Sequence, residues 1–132
     1  MKYTVLSCSL DQNSKSRKLA HIAAEELGNV ATDVTLLDLK DLPLPHFDND
    51  QIFFDMNFKI IYDAINAADG VVIAAPVYNW ALGSTVKQVM EATGATGEDG
   101  RKSAWFDKVV SFVCAGVLIN VEYTDAGLQM YH

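Results

Sequence analysis

The chain has 132 residues, 50% of them hydrophobic, which is enough apolar material for the core of one compact domain. Its formal net charge is -7, from ten basic and seventeen acidic residues, and an acidic surface repels the polyanionic backbone of nucleic acids. The apolar runs are far shorter than a membrane span, and no secretory leader opens the chain. We therefore expect a cytoplasmic protein with neither nucleic acid nor a membrane as its partner.

Apolar patterning divides the chain into alternating strands and helices. A strand buried on both faces of a sheet is a short continuous apolar run, whereas a helix packed on a sheet has apolar residues three and four positions apart. The predicted elements in chain order are strand 3–8, a helix ending near residue 27, strand 34–39, loop 41–57, helix 58–68, strand 70–75, helix 84–93 and strand 108–115.

Local signals predict the ends and faces of several elements. Ser14 or Ser16 can cap the first helix, and Gly28 is expected to end it. Pro76 is expected to end the third strand, because proline lacks the N–H that a sheet ladder uses. The residues of the third helix predicted to face the core are Val86, Val89 and Met90.

Strands that alternate with helices predict right-handed βαβ units and a parallel sheet covered on both faces, in a single domain over residues 1–132. Ligands of such sheets bind at the carboxyl ends of the strands. Residues 116–132 are too few for a full helical crossover and another parallel strand. We therefore expect a C-terminally shortened domain, with the fourth strand at an edge or covered by a partner chain.

The loop after the first strand contains the donors of a phosphate site. Hydroxyl groups at Ser9, Ser14 and Ser16 occur with the cations Lys15 and Arg17 at the predicted start of a helix. Backbone N–H groups point outward there, so hydroxyls, amides, helix dipole and cations favour one bound anion. The alternative is an ordinary serine-capped helix with exposed cations.

The loop after the third strand suits a flat ligand. It consists of Pro76, Val77, Tyr78, Asn79 and Trp80, which offer an apolar face with polar edges. Such a surface fits a planar heteroaromatic ring, although an ordinary turn with its tryptophan packed on the third helix is the alternative. A phosphate loop and a flat-ring loop at one sheet edge together describe a site for a mononucleotide such as FMN.

Three segments resemble the flavodoxin-like NAD(P)H-dependent FMN reductases. SCSLDQNSKSRKLA resembles that family's phosphate loop, PVYNWALGSTVKQVMEATG its Pro-x-Tyr-Asn segment and following helix, and LKDLPLPHFDND its loop after the second strand. The resemblance covers residues 3–115 and implies a flavodoxin-like doubly wound parallel sheet of order 2-1-3-4, then a fifth strand and last helices that are not visible in this sequence. It also implies non-covalent FMN and a homodimer or homotetramer.

The resemblance assigns site residues by position. Those implied to hold the FMN phosphate are Ser9, Ser14, Ser16 and Arg17, with Lys15 nearby. Those implied to contact the isoalloxazine ring are Pro76, Val77, Tyr78 and Asn79, with Trp80 adjacent. Ala115 and Gly116 lie where the loop after the fourth strand is implied to approach the ring. The sequence departs from the family at Asp11, where many members carry an arginine. It also departs at Val117, because Gly116-Val117 replaces the family's Gly-Gly pair.

The implied function is a flavoprotein oxidoreductase. NADPH or NADH would reduce FMN, and a small-molecule acceptor would take the electrons, such as a quinone, an azo dye, a metal oxyanion or a free flavin. The cofactor carries out this chemistry, so we expect no side chain as catalytic acid, base or nucleophile. Two alternatives remain: a flavodoxin-like electron carrier, and a shortened relative without cofactor, which the short C-terminus and Asp11 favour.

The two cysteines are expected to stay reduced, and no metal site is expected. Cys8 and Cys114 end the first and fourth strands, which the third strand separates in the implied order. Two strand spacings are about 9.6 Å, beyond the limit of about 7 Å between the α-carbons of a disulfide. The three histidines have no metal-ligand spacing with each other or with a cysteine.

Overall fold

The computed structural model describes residues 1–31 and 33–116. The elements are β1 (Lys2–Ser7), α1 (Lys15–Gly28), β2 (Asp33–Asp38), a 3-10 helix (Gln51–Phe54), α2 (Met56–Ala67), β3 (Gly70–Tyr78), β4 (Ala81–Leu82), α3 (Ser84–Gly94) and β5 (Val109–Ala115). The predicted alternation of strands and helices is confirmed. The expectations for residues 117–132 lie outside the described residues.

The sheet has the predicted strand order. Parallel strands follow one another as β2-β1-β3-β5, where β5 is the predicted fourth strand, and the short β4 runs antiparallel to the end of β3. The register places Ser7 of β1 between Asp38 of β2 and Ala74 of β3. On the other side of β3, Ala75 lies opposite Cys114 of β5. The carboxyl ends of all four parallel strands therefore meet at one edge of the sheet.

Helices cover both faces of the sheet because neighbouring strand residues point to opposite faces. Val5 packs with Ala20 of α1 on one face. Leu6 belongs to the larger core on the other face, together with Ile61 of α2 and Val86 of α3. Among the described residues, no helix has the length and apolar character that crossing a bilayer requires.

Serine and aspartate side chains fix where the helices begin. Ser14 caps α1, its Oγ accepting a hydrogen bond of 3.1 Å from the N–H of Arg17. Asp55 caps α2 through the N–H of Phe58, so that helix starts within the predicted loop 41–57. The helix α1 ends at Gly28, as predicted, although Gly28 is itself the last helical residue and Asn29 after it has a right-handed backbone.

Pro76 does not end β3, and this prediction is wrong for a geometric reason. The carbonyl of Ala74 faces β1 and accepts a 2.9 Å hydrogen bond from the N–H of Cys8. Polar groups of alternate strand residues face the same side, so those of Pro76 also face β1, which has already ended. The missing N–H removes no ladder bond there, and the carbonyl of Pro76 accepts from Gly83 instead.

The extended β3 turns back through a tight hairpin that the sequence did not reveal. Tyr78 pairs with Ala81, and the two residues between them, Asn79 and Trp80, have positive φ angles of 49° and 75°. Two left-handed residues in succession define a type I′ turn, whose twist matches the flanking strands. The two aromatic side chains of the hairpin, Tyr78 and Trp80, are each about half-exposed.

Met90 does not face the core as predicted. Its exposed fraction is 37%, whereas Val86 and Val89 are buried. The buried face of α3 continues from Val89 to Ala92 and Thr93. Because each residue turns the helix by about 100°, Met90 lies to the side of this face.

Candidate functional site

A cavity of about 470 Å³ opens at the carboxyl ends of β1, β3 and β5. This volume lies within the usual range for small-molecule and cofactor sites. Its lining residues are Asp11, Asn13, Ser14, Lys15, Ser16, Pro76, Val77, Tyr78, Asn79, Ala115 and Gly116. The structure thus brings the two predicted loops and the end of β5 together around one space.

Three of the predicted site residues lie outside the cavity lining. Ser9 is buried behind it, and its Oγ accepts a hydrogen bond of 3.2 Å from the N–H of Asp11. Arg17 also lies behind the loop, and Trp80 is half-exposed in the hairpin turn.

Asp11 and Asn13 line the cavity, although the sequence did not single them out as site residues. The N–H of Asn13 donates to Oδ1 of Asp11 at 2.9 Å, which closes a local turn between the strand and the helix. The pattern Asp-x-Asn before a helix-capping serine is the signal that could have identified this turn.

The first turn of α1 forms the polar end of the cavity. The Oγ atoms of Ser14 and Ser16 lie 2.9 Å apart, and both residues are buried yet line the cavity. The first amides of a helix have no intrahelical acceptor, and the positive end of the helix dipole lies there. Lys15 adds an exposed ammonium group. This donor set matches an anion with several oxygens.

The formal charges of the cavity lining cancel. Lys15 contributes a positive charge and Asp11 a negative one. The predicted second cation, Arg17, is engaged elsewhere, since its Nε lies 2.5 Å from Oδ2 of Asp38. The polar end of the cavity therefore depends on hydroxyls, amides, helix dipole and one lysine.

The opposite wall is apolar and follows β3 and β5. Pro76 and Val77 are buried, while Tyr78 and Asn79 are exposed at the rim. Ala115 lies opposite Pro76 in the β3–β5 register, so a small side chain forms the adjoining wall. An apolar wall with polar groups at its rim suits a planar ring.

The family model for NADPH-dependent FMN reductase matches residues 1–121 of this chain. The chain belongs to that family. Among curated relatives of this FMN reductase family member, FMN-dependent NADH:quinone oxidoreductase 2 of Pseudomonas fluorescens strain Pf0-1 is 30% identical over 141 residues, covering 93% of this chain. FMN-dependent NADH:quinone oxidoreductase 5 of P. fluorescens strain ATCC BAA-477 / NRRL B-23932 / Pf-5 is 28% identical, covering 94% of this chain and 68% of that protein. The chain spans about 60% of the first relative's length.

Solved structures support the fold of this family member. FerB, a flavoenzyme NAD(P)H:(acceptor) oxidoreductase from Paracoccus denitrificans, has a TM-score of 0.75 at 18% identity, covering 98% of this chain and 68% of that chain. An FMN-dependent NADH-azoreductase from Bacillus anthracis strain Ames Ancestor, in complex with FMN, has a TM-score of 0.72 at 15% identity. The match covers 99% of this chain and 79% of that chain. At these identities the likeness concerns the fold, and the predicted flavodoxin-like sheet is confirmed.

Both cysteines of this FMN reductase family member are free, as predicted. Cys8 is fully buried, and burial, aided by the nearby charge of Asp38, raises the pKa of its thiol to about 12. Burial also raises the pKa of Cys114, which is partly exposed. Both thiols are therefore protonated at neutral pH and poor nucleophiles. In the described part of the chain, no group of His, Cys, Asp and Glu side chains could hold a metal ion.

The raised pKa of Cys8 predicts a loss of stability in alkali. The folded state holds the thiol proton more tightly than the unfolded state, whose pKa is near 9.0. The thiol therefore contributes its full stabilisation below pH 9 and loses it as the pH rises toward 12. In urea unfolding experiments between pH 8 and 11, the free energy of unfolding should fall less steeply with pH for Cys8→Ala than for the wild type. Parallel declines would contradict the assignment.

Proposed function

We propose that this chain holds FMN in the cavity and works as an NAD(P)H-dependent oxidoreductase with a small-molecule acceptor. One observation carries the proposal: the helix N-terminus with its serines and the apolar hairpin wall face one space. Membership of the FMN reductase family supports it. The names of the relatives, FMN-dependent NADH:quinone oxidoreductases and an azoreductase, favour a quinone or an azo compound as the acceptor.

The residues present fit FMN at both ends. Ser14, Ser16, Lys15 and the first-turn amides of α1 would hold the phosphate monoester, because hydroxyl, ammonium and amide donors match its oxygens. The segment 76–79 would flank the isoalloxazine ring on one side, and Ala115 with Gly116 on another. Bound FMN would supply the hydride and electron transfer between nicotinamide and acceptor.

The chain's own contribution is binding, orientation and exclusion of water. Pro76 and Val77 are buried, so their side of the cavity is apolar. The I′ turn at Asn79 and Trp80 fixes the hairpin that carries Tyr78 to the rim. No side chain is assigned the role of acid, base or nucleophile in this proposal.

Flavin binding and turnover by the full chain test the proposal. FMN titrated into the purified protein should quench flavin fluorescence with saturation, and FMN should bind at least tenfold more tightly than riboflavin, which lacks the phosphate. NADPH or NADH should then be consumed when a quinone is added. A protein that stays colourless after soaking in FMN would instead be a relative without cofactor. One that binds FMN but turns over NADPH only slowly would be an electron carrier.

The proposal includes a homodimer or homotetramer in the cytoplasm. Two exposed apolar side chains favour a contact between subunits: Phe54, at the end of the 3-10 helix, and Met56, the first residue of α2. Light scattering after gel filtration should give two or four times the chain mass of 14.5 kDa. A mass of one chain would contradict this part of the proposal.

Asp11→Asn should tighten FMN binding by about threefold to tenfold, since it removes a like charge from a partly screened site. The asparagine keeps the side-chain oxygen that accepts from the N–H of Asn13. Riboflavin affinity should change little, because the removed repulsion acts on the phosphate. Asp33→Asn, at the amino end of β2, is the matched control and should leave FMN affinity unchanged. A weaker FMN complex of Asp11→Asn would contradict this charge balance.

A further inference from the structure

We infer that Arg17 is a positioning residue, which together with Asp38 holds the loop of residues 8–16 in its anion-binding shape rather than binding the anion itself. The inference rests on the proposed FMN site. It replaces the phosphate contact that the family resemblance implied for Arg17.

The guanidinium of Arg17 joins three parts of the sheet edge. Its Nε donates to Oδ2 of Asp38, the last residue of β2. Its Nη2 donates to the carbonyl of Ser9 at 2.9 Å, and its Nη1 to that of Asp11 at 2.7 Å. The other carboxylate oxygen of Asp38 accepts from the N–H of Lys40 at 3.0 Å. The arginine therefore ties the start of α1, the loop and the end of β2 together.

This ion pair is shielded from solvent. The side chains of Arg17 and Asp38 are only 17% and 19% exposed. Charge-assisted hydrogen bonds between partly buried groups are stronger and less screened by salt than those at an open surface. With its donors committed to Asp38 and to loop carbonyls, the guanidinium is held behind the loop and is absent from the cavity lining.

Peptide geometry shows how these contacts orient the backbone of the loop. In a trans peptide the carbonyl of one residue and the N–H of the next point in opposite directions. Because Arg17 holds the carbonyls of Ser9 and Asp11, the N–H groups of Leu10 and Gln12 turn away from it. Within residues 1–31 and 33–116 neither N–H has an acceptor. The ion pair thus orients the backbone of the loop that supplies Asp11 and Asn13 to the cavity.

Removal of the Asp38 charge separates the two roles of Arg17, because they predict opposite signs. If Arg17 were a phosphate ligand, Asp38→Asn would free the guanidinium and remove a negative charge, and FMN would bind more tightly. If Arg17 positions the loop through Asp38, the same change loosens the loop, and FMN binds more weakly. In the second case Arg17→Lys also binds FMN more weakly than the wild type. An ammonium group keeps the charge but cannot make the forked contacts of a guanidinium.

The experiment measures dissociation constants of FMN and riboflavin for the wild type, Arg17→Gln, Asp38→Asn and the double variant. Each single variant should weaken FMN binding about tenfold while changing riboflavin binding less than twofold, and the double variant should be no weaker than the weaker single one. A general loss of structure would weaken the binding of FMN and of riboflavin by the same factor. Asp33→Asn removes the same charge at the far end of β2 and should leave both constants unchanged.

Three results would overturn the inference. Tighter FMN binding by Asp38→Asn would make Arg17 a ligand, and an unchanged ratio of FMN to riboflavin affinity in both single variants would remove any role in the anion loop. If the wild type itself does not prefer FMN to riboflavin, the proposed phosphate site fails, and the inference fails with it. Should Arg17→Gln not fold, the opposite signs predicted for Asp38→Asn alone decide between the two roles.

Discussion

Lys15→Glu should weaken FMN binding by about a hundredfold, because it reverses the only positive side-chain charge in the described cavity lining. The lining then carries a second negative charge beside Asp11, and the phosphate loses an ammonium donor. A hundredfold change corresponds to about 2.7 kcal/mol of binding free energy. Fluorescence titration with FMN at low and high salt measures the effect, which should shrink as salt screens the charges.

Lys18→Glu is the matched control for this charge reversal. Lys18 lies on the same helix and is exposed, but it does not line the cavity. It should change FMN affinity by less than threefold, since its charge is farther from the site and screened by water. Equal losses from both variants would mean that net charge rather than the cavity lysine governs binding.

Ile61→Ala should lower the free energy of unfolding by about 3 to 4 kcal/mol. Ile61 is fully buried in the larger core, where α2 packs on the sheet, and truncation leaves a cavity that the neighbours fill only in part. Urea unfolding followed by circular dichroism measures the loss, which for a domain of this size is a large part of the total stability.

Ile60→Ala makes the same truncation one residue earlier in α2. Ile60 is 44% exposed, so its removal should cost less than about 1 kcal/mol. The two variants share helix, residue type and chemistry and differ in the face they occupy. Similar losses would show that α2 does not pack with the face described.

Much of the site could be predicted because helix capping and strand patterning are local. Ser14 caps α1 by accepting from the N–H of Arg17, three residues away. A serine just before a segment with helical apolar periodicity predicts such a cap. The parallel strand order then brings the segment around Ser14, the segment around Pro76 and the end of β5 to one edge. The cavity follows from this topology.

The orientation of Arg17 could not be predicted from its neighbours. Its partner Asp38 lies 21 residues later in the chain and reaches it only because β2 pairs with β1 in a register that ends at Asp38. The strand through Pro76 escaped prediction for a similar reason. Whether a proline's missing N–H removes a ladder bond depends on which neighbouring strand it faces and where that strand stops, and the local sequence shows neither.

The cavity joins segments that lie far apart along the chain, since Asp11, residues 13–16, residues 76–79 and residues 115–116 contribute to it. A molecule bound there binds the folded chain only, because unfolding separates these segments. At a hundred times its dissociation constant such a ligand adds about 2.7 kcal/mol to stability. If the ligand is FMN, as proposed, resistance of the chain to heat and to proteases should rise with the concentration of FMN.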